Sequence, residues 1–135
     1  MDSPAAPSYS FKKINNRNGV TIYYTKPSTI TQYQDADDAL KAYDEILDHL
    51  GNNKWSWIID GDGFEIMYAL EFKTGKGISS LLSGKHGENL QEIRVVNPTM
   101  CMRILIKAAM AFLPEATRKK IKILTDRYYS LLEFL

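Results

Sequence analysis

The chain has 135 residues, of which 44% are hydrophobic and 24% charged, and its 17 basic and 16 acidic residues give a net charge of +1. A chain of this length is expected to form one domain that buries roughly two thirds of the surface exposed in its unfolded form. The balanced charge gives no electrostatic reason to expect a nucleic acid as partner.

The amino-terminal stretch and the cysteine content bear on the cellular compartment. Cys101 is the single cysteine, so an internal disulfide framework is excluded and a reducing compartment is favoured. The sequence lacks the ~18 consecutive apolar residues of a transmembrane helix, and its start lacks the basic and apolar regions of a signal peptide. We therefore expect a mobile leader over residues 1–10, one domain over residues 11–135 and a cytoplasmic protein.

The first half of the chain predicts a hairpin, a helix and a buried strand. Residues 11–14 and 20–24 are predicted strands joined at Asn18-Gly19, a pair suited to a turn with positive φ. Apolar residues at helical spacing predict a helix that ends at Gly51. Residues 54–60 are the predicted central strand, and the turn at 61–64 follows its carboxyl end, the usual ligand side of an open α/β sheet.

The second half predicts a strand, a helix and a strand. Residues 66–82 are helical, but Gly75 and Gly77 predict a break into two short helices or a helix and a loop. The apolar strand from Ile93 to Val96 is stopped by Asn97-Pro98, because proline has no amide hydrogen. Thr99 then offers its hydroxyl as a helix N-cap.

The predicted helix over residues 100–113 is apolar on nearly all sides, and such a helix needs apolar surroundings, supplied by protein or by a ligand. A polar turn over residues 115–117, a strand over 120–124 and a last helix over 126–135 follow. A strand–helix–strand crossover implies parallel pairing. The predicted fold is a three-layer α/β sandwich, with a mixed, mostly parallel sheet and helices on both faces.

The sequence shows no motif for catalysis or metal binding. His49 and His86 fall on separate elements with no cysteine pair near either, so a metal centre has no ligand set. Residues 77–85 do not have the glycine spacing of a phosphate-binding loop, and no serine lies in the signature turn of a nucleophile. We therefore expect no enzyme activity, no catalytic residue, no metal and no cofactor.

Several separated elements together resemble the CRAL-TRIO lipid-binding domain, the family of phosphatidylinositol/phosphatidylcholine transfer proteins and of the tocopherol and retinal carriers. The similarity runs from about Val20 to Leu124. The family has a turn with a glutamate, an apolar strand ending in asparagine and a proline, a gate helix ending in phenylalanine-leucine, and a threonine-x-x-lysine-isoleucine step. The matching residues here are Glu88, the strand from Ile93 to Pro98, Phe112-Leu113, and Thr117 with Lys120-Ile121, without a gap in the spacing.

The resemblance implies a site for a lipid headgroup. In the phosphoinositide-binding branch of the family, the residues that match Glu88, Thr117 and Lys120 contact the inositol phosphate. An ammonium group pairs with phosphate, while a carboxylate and a hydroxyl bind sugar hydroxyls. Each residue also has an ordinary alternative, namely a solvated loop acid, a helix cap and a surface lysine.

The resemblance also implies that residues 100–113 form a gate helix over a cavity for an acyl chain. The cavity and gate residues are then Met100, Met102, Leu105, Ile106, Met110 and Leu113. The alternative is that these side chains only pack against the sheet. The implied ligand is a phospholipid, with a phosphoinositide preferred, which would exchange at a transient membrane surface and place the protein peripherally at membranes.

The sequence departs from the family in two places, and both bear on lipid transfer more than on the fold. Only about 19 residues precede Val20, too few for the helical amino-terminal subdomain of the family, and the closing leucine-proline segment is also missing, so we expect a domain truncated at both ends. The alternative function is a scaffold of the BCH type that binds small GTPases or their regulators. A protein partner or a homodimer is left open.

Overall fold

The computed structural model describes residues 11–29, 36–64, 69–84 and 86–124. Their centre is a five-stranded sheet in which the strands lie side by side in chain order. The strands are β1 (Lys12–Arg17), β2 (Val20–Thr25), β3 (Lys54–Asp60), β4 (Leu90–Val96) and β5 (Ile121–Ile123). β1 pairs antiparallel with β2, and every later pair is parallel. The predicted α/β class and the mixed, mostly parallel sheet are confirmed. Of the helices predicted on both faces, the described residues contain those on one face.

Helices connect the parallel strands. They are α1 (Ala36–Leu50), α2 (Ala69–Ser83), α3 (Met100–Met110) and the short α4 (Glu115–Arg118), with one 3-10 turn at Pro27–Thr29. Right-handed crossovers between strands that are added in one direction put the connecting helices on one face of the sheet. Side chains of α1, α2 and α3 accordingly pack into the same apolar cluster. The predicted leader and the predicted helix over residues 126–135 lie outside the described residues.

Aromatic side chains form the centre of the core between the sheet and α1. The rings of Phe11 and Tyr23 stack with centroids 4.4 Å apart, and Trp55 and Trp57 pack beside them. The indole of Trp57 donates a hydrogen bond to the Thr25 hydroxyl at 2.8 Å, so this polar group is satisfied inside the core. The opposite face of the sheet carries a smaller apolar cluster.

Both predicted turns with positive φ are confirmed. Asn18 and Gly19 have φ of 55° and 83° and join β1 to β2, and Gly51, with φ of 61°, ends α1. Glycine has no Cβ and therefore adopts positive φ without a steric clash, and asparagine adopts it more readily than most other residues.

The predicted break at the two glycines of α2 is wrong, because α2 is continuous from Ala69 to Ser83. A glycine inside a helix costs about 1 kcal/mol relative to alanine, but here Gly77 allows close packing of α2 against α1, while Gly75 has room for a Cβ. A Cβ added to Gly77 would overlap Leu40 of α1, and one added to Gly75 would lie 3.6 Å from the Leu105 side chain of α3.

The predicted boundaries and surroundings of the last crossover helix also need correction. α3 ends at Met110 instead of residue 113, and the predicted polar turn contains the one-turn helix α4. Apolar surroundings on nearly all sides were expected, yet Met100 is 72% and Ile104 48% exposed. Only the inner face of α3 packs against the core. Its outer face exposes apolar side chains to solvent.

We expect Thr99→Ala to destabilise the fold by loosening the start of α3. The Thr99 hydroxyl accepts a hydrogen bond from the Met102 amide at 3.1 Å and donates one to the Phe64 carbonyl. Loss of such an N-cap lowers the free energy of unfolding by about 0.5–2 kcal/mol, which urea unfolding measures. Ser80→Ala, on the exposed side of α2, is the control, and equal stability of Thr99→Ala and wild type would contradict the capping role.

Candidate functional site

An apolar cavity of about 100 Å³ lies between the helical face of the sheet and helices α2 and α3. Its sheet wall is formed by side chains of β3, β4 and β5, and its helical wall by side chains of α2 and α3. The main contributors are Trp57, Ile59, Ile93 and Ile121 from the sheet, Ile78, Ser79 and Leu82 from α2, and Met102, Leu105, Ile106 and Ala109 from α3.

The few polar groups of the cavity wall are satisfied within the protein. Thr25 accepts the hydrogen bond of Trp57. The Ser79 hydroxyl lies 3.0 Å from the carbonyl oxygens of both Gly75 and Ala109, so its single hydrogen is shared between α2 and α3. Because these groups are already paired, the interior suits a hydrocarbon better than a polar ligand.

The cavity is small in the observed state. Sites for small molecules are typically about 300–1,000 Å³, whereas the volume of this cavity is about 100 Å³. A long acyl chain therefore requires α3 to move away from the sheet. The exposed outer face of α3 leaves room for that movement.

The structure places most of the predicted gate residues at this cavity. Met102, Leu105, Ile106 and Leu113 line it. Met110 packs against the same core cluster beside the cavity. Met100, at 72% exposed, lies on the outer face of α3 and away from the cavity.

Sequence reasoning missed the wall contributed by α2. Ile78 and Leu82 lie one turn apart at helical spacing, which is a signal for an apolar face. The pattern cannot say that this face turns toward α3, because the contact depends on the small residues Gly75 and Ser79.

The three predicted headgroup residues lie at the amino ends of β4 and β5. The Lys120 ammonium donates a hydrogen bond to the carbonyl of Gly87 at 2.9 Å, which brings it beside the backbone of Glu88. An ammonium has three hydrogens, of which this bond uses one. Thr117 is connected to Lys120 through a backbone hydrogen bond of 2.9 Å, but its side chain is buried, while Glu88 is exposed.

The loop that carries Glu88 is held firmly. The Trp55 indole donates to the His86 carbonyl at 3.1 Å, and the Trp55 amide donates to the Asn89 carbonyl at 3.0 Å. Gly87 lies so close to the end of α2 that an added Cβ would overlap the Leu82 carbonyl oxygen. The backbone on both sides of Glu88 is therefore fixed relative to the sheet.

Comparison with known proteins identifies the family of this fold and cavity. The sequence profile of the CRAL/TRIO domain matches residues 17–135. The chain belongs to the CRAL/TRIO domain family. This is a family of lipid-binding domains, and the apolar cavity under α3 has the character that such a ligand needs.

Solved structures similar to this CRAL/TRIO domain include a crystal structure of Sfh5. The two chains are 17% identical, with a TM-score of 0.72 over 93% of this chain and 50% of the Sfh5 chain. The likeness shows a shared fold, and this chain spans about half the length of that relative. No curated protein sequence matches significantly.

The carboxyl edge of the CRAL/TRIO sheet is closed by its own hydrogen bonds. The buried Asp60 carboxylate accepts from the Tyr24 hydroxyl at 2.6 Å, the Asn97 amide at 3.1 Å and the Asp62 backbone at 3.0 Å. Burial, this hydrogen bond and the nearby carboxylates raise the pKa of the Tyr24 phenol well above its ordinary value. The usual ligand edge of an open sheet is thus occupied by protein groups.

Within the described part of the chain, no helix combines the length and the apolar character needed to cross a membrane.

Proposed function

We propose that this CRAL/TRIO domain binds and transfers a phospholipid, preferably a phosphoinositide, without chemical turnover. The observation that carries the proposal is the apolar cavity beneath α3, whose polar wall groups are already paired. Ile121 lines that cavity, and the residue directly before it is Lys120. The proposed phosphate-binding ammonium thus belongs to the residue next to a cavity-lining one.

The energetics explain why such a lipid would exchange at a membrane. Burial of each methylene contributes about 0.8 kcal/mol, so a chain of about sixteen carbons brings roughly a dozen kcal/mol of gross transfer free energy. A ligand held that strongly does not leave into water unaided. It passes directly between the cavity and a bilayer when α3 moves outward.

The outer face of α3 has the composition of a membrane-binding surface. Ile104 is 48% and Phe112 55% exposed, and the Lys76 ammonium lies 5.3 Å above the Phe112 ring. Lys107 is exposed on the same side of α3. Apolar side chains flanked by basic ones favour binding to a bilayer with anionic lipids.

We expect Lys120→Ala and Glu88→Ala to lower the uptake of labelled phosphatidylinositol from vesicles. A hydrogen bond to a charged group contributes about 1.5–3 kcal/mol, so each change is expected to lower uptake roughly tenfold or more. The matched control is Lys119→Ala, whose lysine is 74% exposed and pairs with Glu115 at 3.7 Å.

Uptake of labelled phosphatidylcholine serves as the internal reference in that experiment. In Glu88→Ala it should change less than uptake of phosphatidylinositol, because choline lacks the hydroxyls that the carboxylate would bind, whereas Lys120→Ala should lower uptake of both lipids, because both carry the phosphate. Melting temperatures show whether loss of the bond from Lys120 to Gly87 has altered the fold. Wild-type uptake by both Lys120→Ala and Glu88→Ala would remove the headgroup assignment.

We expect the double variant Ile104→Ser, Phe112→Ser to transfer lipid more slowly. Burial of an isoleucine or phenylalanine side chain contributes about 1.5–3 kcal/mol, so binding to anionic vesicles in sedimentation assays should weaken at least several-fold. The amount of lipid bound at equilibrium should not change, because neither side chain lines the cavity. Ala116→Ser, also exposed, is the control, and unaltered vesicle binding by the double variant would contradict the membrane role.

The scaffold hypothesis depends on the same exposed apolar residues. A protein partner or a second copy of the chain would cover Met100, Ile104 and Phe112, which are exposed in the single chain. In that case the purified protein is empty of lipid, and it is dimeric or partner-bound. Native mass spectrometry separates these species by mass.

A further inference from the structure

Three side chains that coordinate metals in many proteins converge at the amino edge of the sheet. The His86 Nε2 atom lies 2.7 Å from an Asp44 carboxylate oxygen and 3.7 Å from an Asp48 carboxylate oxygen. Asp44 and Asp48 lie one turn apart on α1, and His86 comes from the loop between α2 and β4. We propose that these residues form a binding site for a divalent transition-metal ion of the zinc type, a site that does not rest on the proposed lipid function.

The spacing of the three groups fits a tetrahedral ion. Zinc binds imidazole nitrogen and carboxylate oxygen at about 2.0–2.2 Å, so a tetrahedral arrangement holds two ligand atoms roughly 3.4 Å apart. The two observed separations lie on either side of this value, and the three ligand atoms all lie within 4.8 Å of one another. Small rotations of the Asp44 and Asp48 side chains therefore suffice to admit the ion.

A simple ion pair does not require this arrangement. One imidazole nitrogen donates one hydrogen, which Asp44 can accept, whereas Asp48 lies beyond hydrogen-bond distance. Two carboxylates at i and i+4 of a helix repel each other. The two carboxylates and the imidazole nitrogen thus offer three ligand atoms within 4.8 Å of one another, which is a donor set that zinc binds in proteins.

The histidine is also held in position before any ion binds. Its side chain is only 6% exposed. Its backbone carbonyl accepts from the Trp55 indole at 3.1 Å, and the next carbonyl, of Gly87, accepts from Lys120 at 2.9 Å. A preorganised ligand loses little conformational entropy on binding, which favours affinity.

A polar depression of about 700 Å³ opens onto two of the three residues and gives an ion access from solvent. Asp48 and His86 line it, together with Glu88, Asn89 and Asn52. The depression has room for the water that would complete a four-coordinate site with three protein ligands. Because one ligand is an imidazole, we expect zinc to bind in preference to Mg²⁺ or Ca²⁺, which prefer oxygen ligands.

Isothermal titration calorimetry of the purified chain with zinc chloride tests the proposal. We expect one equivalent to bind, and Asp48→Asn and Asp44→Asn each to weaken binding about tenfold or more, since even outer partners of metal sites contribute roughly 10–100-fold. Asp48 is 49% exposed, so its isosteric replacement should leave the fold intact. The control is Asp62→Asn, which changes a carboxylate 67% exposed at the opposite edge of the sheet.

Cys101 is the competing soft ligand, and Cys101→Ser should bind zinc as the wild type does. The visible absorption of bound Co²⁺ gives a second readout, because a tetrahedral site absorbs much more strongly than an octahedral one. Three results would overturn the proposal: no saturable one-equivalent binding by the wild type, wild-type affinity in both Asp44→Asn and Asp48→Asn, or loss of binding in Cys101→Ser.

Discussion

The contact between α2 and α3 decides whether the domain has a cavity and how that cavity opens. The Ser79 hydroxyl reaches across to the Ala109 carbonyl at 3.0 Å, and Gly75 allows Leu105 to approach on the same side. Small residues bring the two helices together, while the inner side chains of α3 leave unfilled space above the sheet. A neutral hydrogen bond of this kind contributes only about 0.5–1.5 kcal/mol. Most of the free-energy cost of separating the two helices therefore comes from exposing apolar surface to water. In the proposed transfer, a membrane or an entering acyl chain would supply replacement apolar contacts.

The two edges of the sheet are built differently, and the proposed direction of a bound lipid follows from that difference. At the carboxyl edge, the buried Asp60 accepts three hydrogen bonds and holds the turn after β3. At the amino edge, Glu88 is exposed and the Lys120 ammonium is held beside it by the Gly87 carbonyl. A polar headgroup would thus meet charged groups at the amino edge and an already satisfied network at the other. The proposed metal site lies at the amino edge too, next to the loop that carries Glu88.

The succession of strands and helices along the chain and the start of α3 could be predicted from sequence, because local chemistry decides them. Asn18-Gly19, Gly51 and Thr99 each form the turn or cap that their residue type favours. The continuity of α2 could not be predicted, since the close approach of Leu40 to Gly77, which leaves no room for a Cβ there, is visible only in the tertiary structure.

The candidate sites also differ in how far the sequence predicts them, because local patterns indicate some of their residues and tertiary contacts determine the others. The apolar residues of α3 recur at helical spacing, which indicates a helix. Because this helix is apolar on most sides, the pattern does not show which side is exposed, and the prediction of Met100 as a cavity residue is wrong for that reason. The partners of His86 lie 42 and 38 positions earlier in the chain. Because no short spacing motif joins His86 to the two carboxylates on α1, the sequence alone does not indicate this group.

The most direct test of the account is whether lipid occupies the cavity under α3. Native mass spectrometry of the purified protein, incubated with phospholipid vesicles and re-isolated, should show one intact phospholipid per chain. Ile106→Trp, which fills the cavity, should abolish that species, whereas Ile104→Trp, on the exposed side of the same helix, should retain it. A wild-type protein that stays empty, or an Ile106→Trp variant that carries as much lipid as the wild type, would contradict the account.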